Sequence, residues 1–271
     1  MNDIPIFDSL THPTLDGHWI LPQYPNRSII DDLLNTMQLN NVQWAFAVGI
    51  NGIGSYEESS FVKLIKEKGD KKLFPLAFLD ISNIKNSNEL DLRIRKIKTL
   101  GYFGIKLHPR IAKFNLTYPL LPMAIDKANE CGLTVSFCTY FYDNKEDSYL
   151  NSIDNLIKLL SSIDSKSKIV LLHSGCVRLL EYIEIARAFS NVLLDLSFTL
   201  CKYQGSSIDL DLQYVFENFD KRICIGSDHP QFSLAHLRNR FEHFSLKIEL
   251  EKSENIAYKN LNSFINNEII R

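Results

Sequence analysis

The chain has 271 residues, of which 45% are hydrophobic and 23% are charged, as is ordinary for a soluble globular protein with a large core. Its formal net charge of −2 gives no electrostatic reason to expect a nucleic acid or an anionic membrane as a partner. We therefore expect a small-molecule substrate, and the sequence does not indicate an oligomeric state.

Cysteine usage and the N-terminus bear on the cellular compartment. The five cysteines stand at positions 131, 138, 176, 201 and 224, and no two of them form a C-x-x-C pair. This odd number favours a reducing compartment over a disulfide framework. The N-terminus lacks a basic region followed by an apolar stretch, and no apolar run approaches the ~20 residues that span a bilayer. These features predict a cytoplasmic protein.

Apolar runs of strand length alternate with segments of helical spacing. The predicted strands are Ile4–Asp8, Gln43–Ile50, Leu73–Leu79, Tyr102–His108, Leu133–Cys138, Lys168–His173, Asn191–Leu196 and Arg222–Gly226. Helices are predicted over 28–39, 57–69, 87–100, 119–131, 148–163, 176–190, 208–219 and 234–247, with a further helix over about 253–266.

This alternation is typical of a parallel sheet, and eight such units favour a closed barrel over an open doubly wound sheet. No G-x-G-x-x-G motif follows the first strand, which argues against a dinucleotide-binding fold. No low-complexity linker divides the chain. The sequence therefore predicts an α/β fold, a (β/α)8 TIM barrel, with a single domain over residues 1–271.

Side-chain alternation along the strands predicts which residues face the lumen. Lys106 and His108 share one face of the fourth strand, and His173 shares a face of the sixth strand with Ile169 and Leu171. The face that carries the polar residues is predicted to line the barrel lumen. The polar residues at the strand ends should then converge on one mouth.

Four stretches end a predicted strand in metal-competent or catalytic residue types. They are Asp8–His12, Lys106–Pro109, Leu172–Gly175 and Gly226–Pro230. A (β/α)8 barrel builds its site from the ends of several strands. Asp228 is a candidate metal ligand or general base. His173, as a neutral imidazole, is a candidate metal ligand or hydrogen-bond donor to a substrate oxygen.

Other residues at the strand ends are candidates for contact with substrate. Lys106 is a candidate anion anchor or electrophile, and the alternative is a lysine that extends to solvent at the barrel end. His108, Tyr140 and Arg178 are candidates because they lie at or just after strand ends. Cys138 is either a ligand, a nucleophile or a small buried residue.

These motifs resemble those of the amidohydrolase superfamily, in particular the amidohydrolase 2 branch of TIM-barrel metal-dependent hydrolases. The first strand of that family ends in Asp-x-His-x-His, which Ile6–His12 resembles, and Ile225–Pro230 is similar to its Gly-Ser-Asp-x-Pro ending. The intervening matches are Gly104–Pro109, Leu133–Thr139, Ile169–Gly175 and Asn191–Ser197. The resemblance spans nearly the whole chain.

The resemblance implies a mononuclear metal site, usually zinc, that activates water. His12, His173 and Asp228 match the family's ligand positions, whereas Leu10 and Cys138 stand where histidines are expected. A catalytic zinc normally has three protein ligands, so losing one histidine should weaken zinc binding. We therefore expect either one divalent metal, zinc by preference, or no metal.

Three interpretations remain open. The first is a hydrolase with an altered mononuclear metal site. The second is a metal-independent hydrolase, a lactonase for example, in which Asp228 is the base and His173 polarises the carbonyl group. The third is a non-catalytic barrel that binds a ligand or partner. We predict an amidohydrolase-type hydrolase of a small, anionic lactone, ester or cyclic amide, with a decarboxylase of the same family as an alternative activity.

Overall fold

A computed structural model describes residues 4–20, 28–142 and 150–265 of the chain. Its strands are β1 Ile6–Thr11, β2 Val42–Val48, β3 Leu73–Phe78, β4 Gly104–Leu107, β5 Thr134–Cys138, β6 Ile169–Leu172, β7 Val192–Asp195 and β8 Ile223–Cys224. They pair in parallel in sequence order from β1 to β8. The predicted (β/α)8 barrel is therefore confirmed.

The barrel is closed by contacts between β1 and the segment around β8. The backbone N–H of Ser9 donates to the carbonyl of Ile225 at 3.0 Å, and the N–H of His12 donates to the carbonyl of His229 at 2.7 Å. Gly226 lies in this seam, where a Cβ atom would come within 2.4 Å of the Ser9 hydroxyl oxygen. The glycine of the Gly-Ser-Asp motif is thus required by the close approach of the two strands.

Helices alternate with the strands nearly as predicted. They are α1 Ile30–Leu39, α2 Glu58–Lys68, α3 Ser87–Leu100, α4 Pro109–Ala112, α5 Leu121–Glu130, α6 Ile153–Ser162, α7 Leu179–Ala188, α8 Thr199–Lys202, α9 Ile208–Asn218, α10 Leu234–Ser245, α11 Leu250–Glu254 and α12 Asn260–Phe264. The short helices α4 and α8 were not predicted. Residues 148 and 149 of one predicted helix, and residue 266 of the last, lie outside the described ranges.

Amphipathic sequence and capping explain why these segments are helical. In α6, Leu156, Leu159 and Leu160 form a buried stripe at helical spacing, and the Ser152 hydroxyl accepts a hydrogen bond from the Asn155 N–H at the N-terminus. Among the described residues, no helix is long and apolar enough to cross a bilayer.

Two apolar clusters lie on opposite faces of the strands. The larger one packs between the sheet and the helices. The smaller one fills the lumen and consists of Phe7, Leu10, Phe46, Val48, Leu76, Val170, Leu172, Leu193, Cys224 and Leu261. Leu10, which stands at a family histidine position, is therefore a fully buried residue of the lumen core. It packs beneath the mouth of the barrel.

The predicted facing of β6 is wrong. Ile169 and Leu171 belong to the outer cluster, whereas Val170 and Leu172 belong to the lumen cluster. His173 still reaches the mouth because β6 ends at Leu172 and His173 has a left-handed backbone, with φ of 67°. The rotation of the backbone, rather than strand alternation, directs this side chain inward.

The C-terminal segment covers the amino-terminal end of the barrel. Leu261 belongs to the lumen cluster, and Tyr258 and Phe264 pack against it. The Asn260 side chain donates hydrogen bonds to the carbonyls of Asp220 and Ile223, which ties α12 to the start of β8. The barrel is thereby closed at one end, and its opposite mouth remains for a site.

Candidate functional site

A cavity of about 280 Å³ lies at the carboxyl ends of the strands. Its lining comprises His12, Trp19, Ile20, Ile50, Lys106, His108, Arg110, Ile111, Tyr140, His173, Phe198, Lys202, Asp228 and Gln231. Six of the eight site residues predicted from sequence therefore converge on one cavity, namely His12, Lys106, His108, Tyr140, His173 and Asp228. Their chemical roles remain predictions.

Lys106 contacts His12 at the centre of this cavity. The His12 Nδ1 atom lies 2.9 Å from the carbonyl oxygen of Val48 and must donate its proton to it, because a carbonyl only accepts. The Nε2 lone pair then accepts from the Lys106 amino group at 3.1 Å. Burial, together with Lys106, lowers the pKa of His12, which keeps its ring neutral.

Asp228 lies beside the same two residues. One carboxylate oxygen is 3.4 Å from His12 Nε2, and the side chain is 16% exposed, so it can reach a molecule in the cavity. Burial alone would raise the pKa of Asp228, but the basic side chains around it outweigh burial and hold that pKa below its ordinary value. Since the rings of His12 and His173 are both neutral, this effect is due chiefly to the Lys106 amino group. Asp228 is therefore an ionised carboxylate over the physiological pH range.

His173 is oriented by the loop after β7. Its Nδ1 atom lies 3.1 Å from the Ser197 carbonyl oxygen and 3.1 Å from the Ser197 hydroxyl. Burial lowers the pKa of His173 to about 4. The neutral ring therefore carries its proton on Nδ1, which leaves Nε2 as an acceptor. This argues against the expectation that His173 donates a hydrogen bond to a substrate carbonyl.

His108 also has a structural contact. Its Nδ1 atom accepts the Ile111 N–H at 3.4 Å at the start of α4. Burial lowers the pKa of His108 well below its ordinary value, so the ring is neutral. With Nδ1 accepting, its proton is on Nε2, and His108 can donate a hydrogen bond.

Two predicted residues do not line this cavity. Cys138 is 1% exposed in the lumen, and burial raises the pKa of its thiol, which disfavours a thiolate ligand or nucleophile. Arg178 lines a separate cavity beyond β6 with Tyr142 and Tyr182, and its guanidinium lies 3.8 Å from Glu181. These positions do not support the predicted contact of either residue with substrate. Cys138 is buried in the barrel, and Arg178 lines the neighbouring cavity.

Sequence reasoning did not predict eight of the residues that line the cavity, among them Arg110, Lys202 and Trp19. Arg110 lies over the Tyr140 ring at 5.3 Å, and Lys202 lies over the Phe198 ring at 5.0 Å. Trp19 stacks on His12 with ring centroids 5.0 Å apart. Pro109 could have indicated part of this, because proline is favoured at the first position of a helix. A helix that begins there places Arg110 directly after the fourth strand.

Two further carboxylates lie beneath the cavity without lining it. Asp8 accepts hydrogen bonds from the Ser227 N–H and hydroxyl at 2.9 and 2.6 Å. Asp195 accepts from the Ser9 hydroxyl at 2.5 Å and from the Ser197 hydroxyl. Burial raises the pKa of Asp8 to about 7 and that of Asp195 to about 6. These side chains hold β1, β7 and β8 together below the mouth.

The arrangement does not fit the zinc site that the resemblance implies. Among the described residues, no group of three His, Cys, Asp or Glu side chains has the spacing to hold a metal ion. The Nε2 lone pair of His12, which a metal would need, already accepts from Lys106. Leu10 supplies no ligand. No chemical step is therefore assigned to a metal.

Comparison with known proteins identifies the fold. No protein-family model matches the chain, and no protein of curated function matches it. An uncharacterized TIM-barrel protein from Bordetella bronchiseptica superposes with a TM-score of 0.80 at 16% identity, covering 97% of this chain and 98% of that one. Structures described as amidohydrolases match as well. These likenesses show that the chain has a TIM-barrel fold.

Two other solved structures carry descriptions of activity. A probable 2-pyrone-4,6-dicarboxylic acid hydrolase from Acinetobacter baumannii, with citric acid bound, gives a TM-score of 0.68 at 14% identity over 98% of this chain and 100% of that one. The 5-carboxyvanillate decarboxylase from Sphingomonas paucimobilis gives 0.67 at 11% identity over 97% and 99%. Such barrels thus include both hydrolases and decarboxylases.

Proposed function

We propose that this barrel is a hydrolase that opens a small, anionic lactone, ester or cyclic amide. The observation that carries the proposal is the position of Asp228. In the part of the chain that the structure describes, it is the only carboxylate that lines the cavity. Its lowered pKa keeps it ionised at neutral pH, so the carboxylate is free to accept a proton from water.

The charge of the cavity favours an anionic substrate. Lys106, Arg110 and Lys202 bring three basic side chains to the lining, against the single carboxylate of Asp228. Basic side chains in a concave site attract anions and hold carboxylates. Lys202 is exposed and Arg110 half-buried, so both can meet a substrate carboxylate near the rim. The probable pyrone dicarboxylic acid hydrolase, with bound citric acid, has the same fold.

The proposed reaction is attack of water on the substrate carbonyl. Asp228 takes a proton from the water as its oxygen bonds to the carbonyl carbon, and the carbonyl electrons move to the oxygen. An N–H of Lys106 stabilises that oxygen, a role that His173 cannot fill with its proton on Nδ1. The bond to the ring oxygen or nitrogen then breaks, and the Asp228 carboxyl returns the proton to the leaving atom.

A decarboxylase is the second candidate, because barrels of this fold include decarboxylases. Loss of CO₂ from an aromatic or dienoic acid requires an acid that protonates the substrate carbon. An Asp228 that is ionised at neutral pH lacks the proton for this step. This difference favours hydrolysis over decarboxylation.

Turnover of a panel of anionic lactones, esters and cyclic amides tests the proposal. The protein is assayed in the presence of a chelator, with mass spectrometry of the products and detection of CO₂. We expect addition of water to at least one member of the panel, lost in Asp228→Asn and retained in Asp70→Asn, a matched change at an exposed position. Release of CO₂ without addition of water would establish the decarboxylase. Hydrolysis that survives in Asp228→Asn would overturn the assignment of the base.

A further inference from the structure

The His12 side chain is arranged as a metal ligand would be. Its Nδ1–H donates to the Val48 carbonyl at 2.9 Å, which fixes the tautomer and points the Nε2 lone pair into the cavity. Histidine ligands are commonly oriented in this way by a carbonyl that accepts their other ring proton. His173 has the equivalent contact with the Ser197 carbonyl at 3.1 Å.

The Lys106 amino group, however, already uses that lone pair. Its nitrogen lies 3.1 Å from His12 Nε2, and a carboxylate oxygen of Asp228 lies 3.4 Å from the same atom. Lys106 is only 1% exposed, so its N–H groups depend on acceptors inside the barrel. A zinc ion bound to His12 would need a Zn–N distance of about 2.0–2.1 Å along the same direction. One lone pair cannot serve both.

We infer that the Lys106 amino group takes the place of the metal ion in this barrel and excludes zinc from His12. It provides what a cation would provide there, which is a partner for the His12 lone pair and a positive group near the Asp228 carboxylate. Exclusion of metal does not depend on the substrate. The proposed hydrolysis bears only on a second role of Lys106, its contact with the carbonyl oxygen of the substrate.

Leu10 supports this inference independently. A site that had retained zinc would be expected to keep a second histidine on the first strand. Leu10 instead packs into the lumen cluster with Phe7 and Val48 and is fully buried. A charged amino group in the site and an apolar residue at a ligand position both point away from metal binding.

Removal of the amino group should open a metal site. In Lys106→Ala, the His12 lone pair would lose its partner, and His173 and Asp228, which line the same cavity, could turn toward an ion bound to His12. Zinc affinity is measured by calorimetric titration for the wild type, Lys106→Ala and the double variant Lys106→Ala/His173→Ala. We expect Lys106→Ala to bind one zinc at least about ten-fold more tightly than the wild type, and the double variant to lose that gain.

A second measurement needs no variant. Nitrogen-15 NMR of the wild type reports the Nε2 atoms of His12 and His173, and we expect added zinc to leave both shifts unchanged. Near-stoichiometric zinc bound at these atoms in the wild type would overturn the inference, as would equal zinc affinities of the wild type and a folded Lys106→Ala. Neither experiment uses a substrate, so failure of the proposed hydrolysis would leave these results intact.

Discussion

Three aspartates in or near the barrel strands differ in their surroundings: Asp8 and Asp195 are buried, whereas Asp228 borders the cavity. Asp8 and Asp195 accept hydrogen bonds from hydroxyl and N–H groups of Ser227, Ser9 and Ser197, all of them neutral donors. Asp228 instead faces Lys106 and two histidines.

This difference in surroundings decides the charge of each group. Burial dominates at Asp8 and Asp195 and raises their pKa values to about 7 and 6, whereas basic neighbours lower the pKa of Asp228. The basic groups that share its cavity thus keep the Asp228 carboxylate ionised and able to accept a proton. Below that cavity, the same residue type holds strands together.

The largest expected effect is the loss of activity in Asp228→Asn. An amide cannot accept the proton of the attacking water, so turnover should fall by about 10²–10⁴-fold. The free energy of unfolding should change little, because Asp228 borders the cavity. Turnover and urea denaturation are measured on the same preparation. If Asp228→Asn lost activity only because it unfolded, Asp228 would have a structural role like that of Asp8 and Asp195.

Asp8→Ala should have the opposite profile. The change leaves the buried N–H groups of Leu10 and Ser227 without their carboxylate acceptor. Each unsatisfied buried group costs about 1–3 kcal/mol, so the free energy of unfolding should fall by that amount or more. Urea denaturation measures the loss, with Asp70→Asn as the surface control. Unchanged stability of Asp8→Ala would show that the contact between β1 and the segment after β8 does not depend on this side chain.

The raised pKa of Asp8 should make the stability of the protein depend on pH. Asp8 keeps its proton up to about pH 7 in the folded protein, but its ordinary pKa is 3.8. The folded state therefore binds more protons between these values, and this group's contribution to stability falls as the pH rises from about 4 to 7.

The change is measured against Asp8→Asn, which is isosteric and does not titrate. The stability of the wild type relative to Asp8→Asn should fall by more than about 1 kcal/mol across that range, since one pKa unit is worth about 1.4 kcal/mol. A difference that is constant with pH would mean that Asp8 titrates as in the unfolded chain.

The smallest expected effect is at the rim of the cavity. Lys202→Met should raise KM for an anionic substrate by about five-fold or less, since an exposed ionic contact is worth about 1 kcal/mol or less. The value of kcat and the KM for a neutral analogue should hardly change. Lys221→Met is a matched exposed control, and Arg178→Met should also leave KM unchanged. An equal effect of Arg178→Met would place the substrate in the neighbouring cavity.

The sequence was sufficient for the barrel but not for all of its site. Alternation of apolar strands and helices predicted every strand because burial on both faces leaves a continuous apolar run. His12, Lys106 and Asp228 were found because they end such runs.

The remaining features of the site depend on local backbone geometry. The left-handed backbone of His173 and the unpredicted helices that carry Arg110 and Lys202 have no periodic signal. Strand alternation therefore assigned the wrong face to β6. The pairing of Lys106 with His12 joins residues 94 positions apart, and only the closed barrel brings them into contact.

Carbon-13 NMR of the aspartate carboxyl groups at pH 5 measures the charge difference between Asp228 and the two buried aspartates. Spectra of Asp8→Asn, Asp195→Asn and Asp228→Asn assign the three signals. We predict that Asp8 and Asp195 are protonated at this pH and that Asp228 is ionised. A protonated Asp228 at pH 5, or ionised Asp8 and Asp195, would contradict the account.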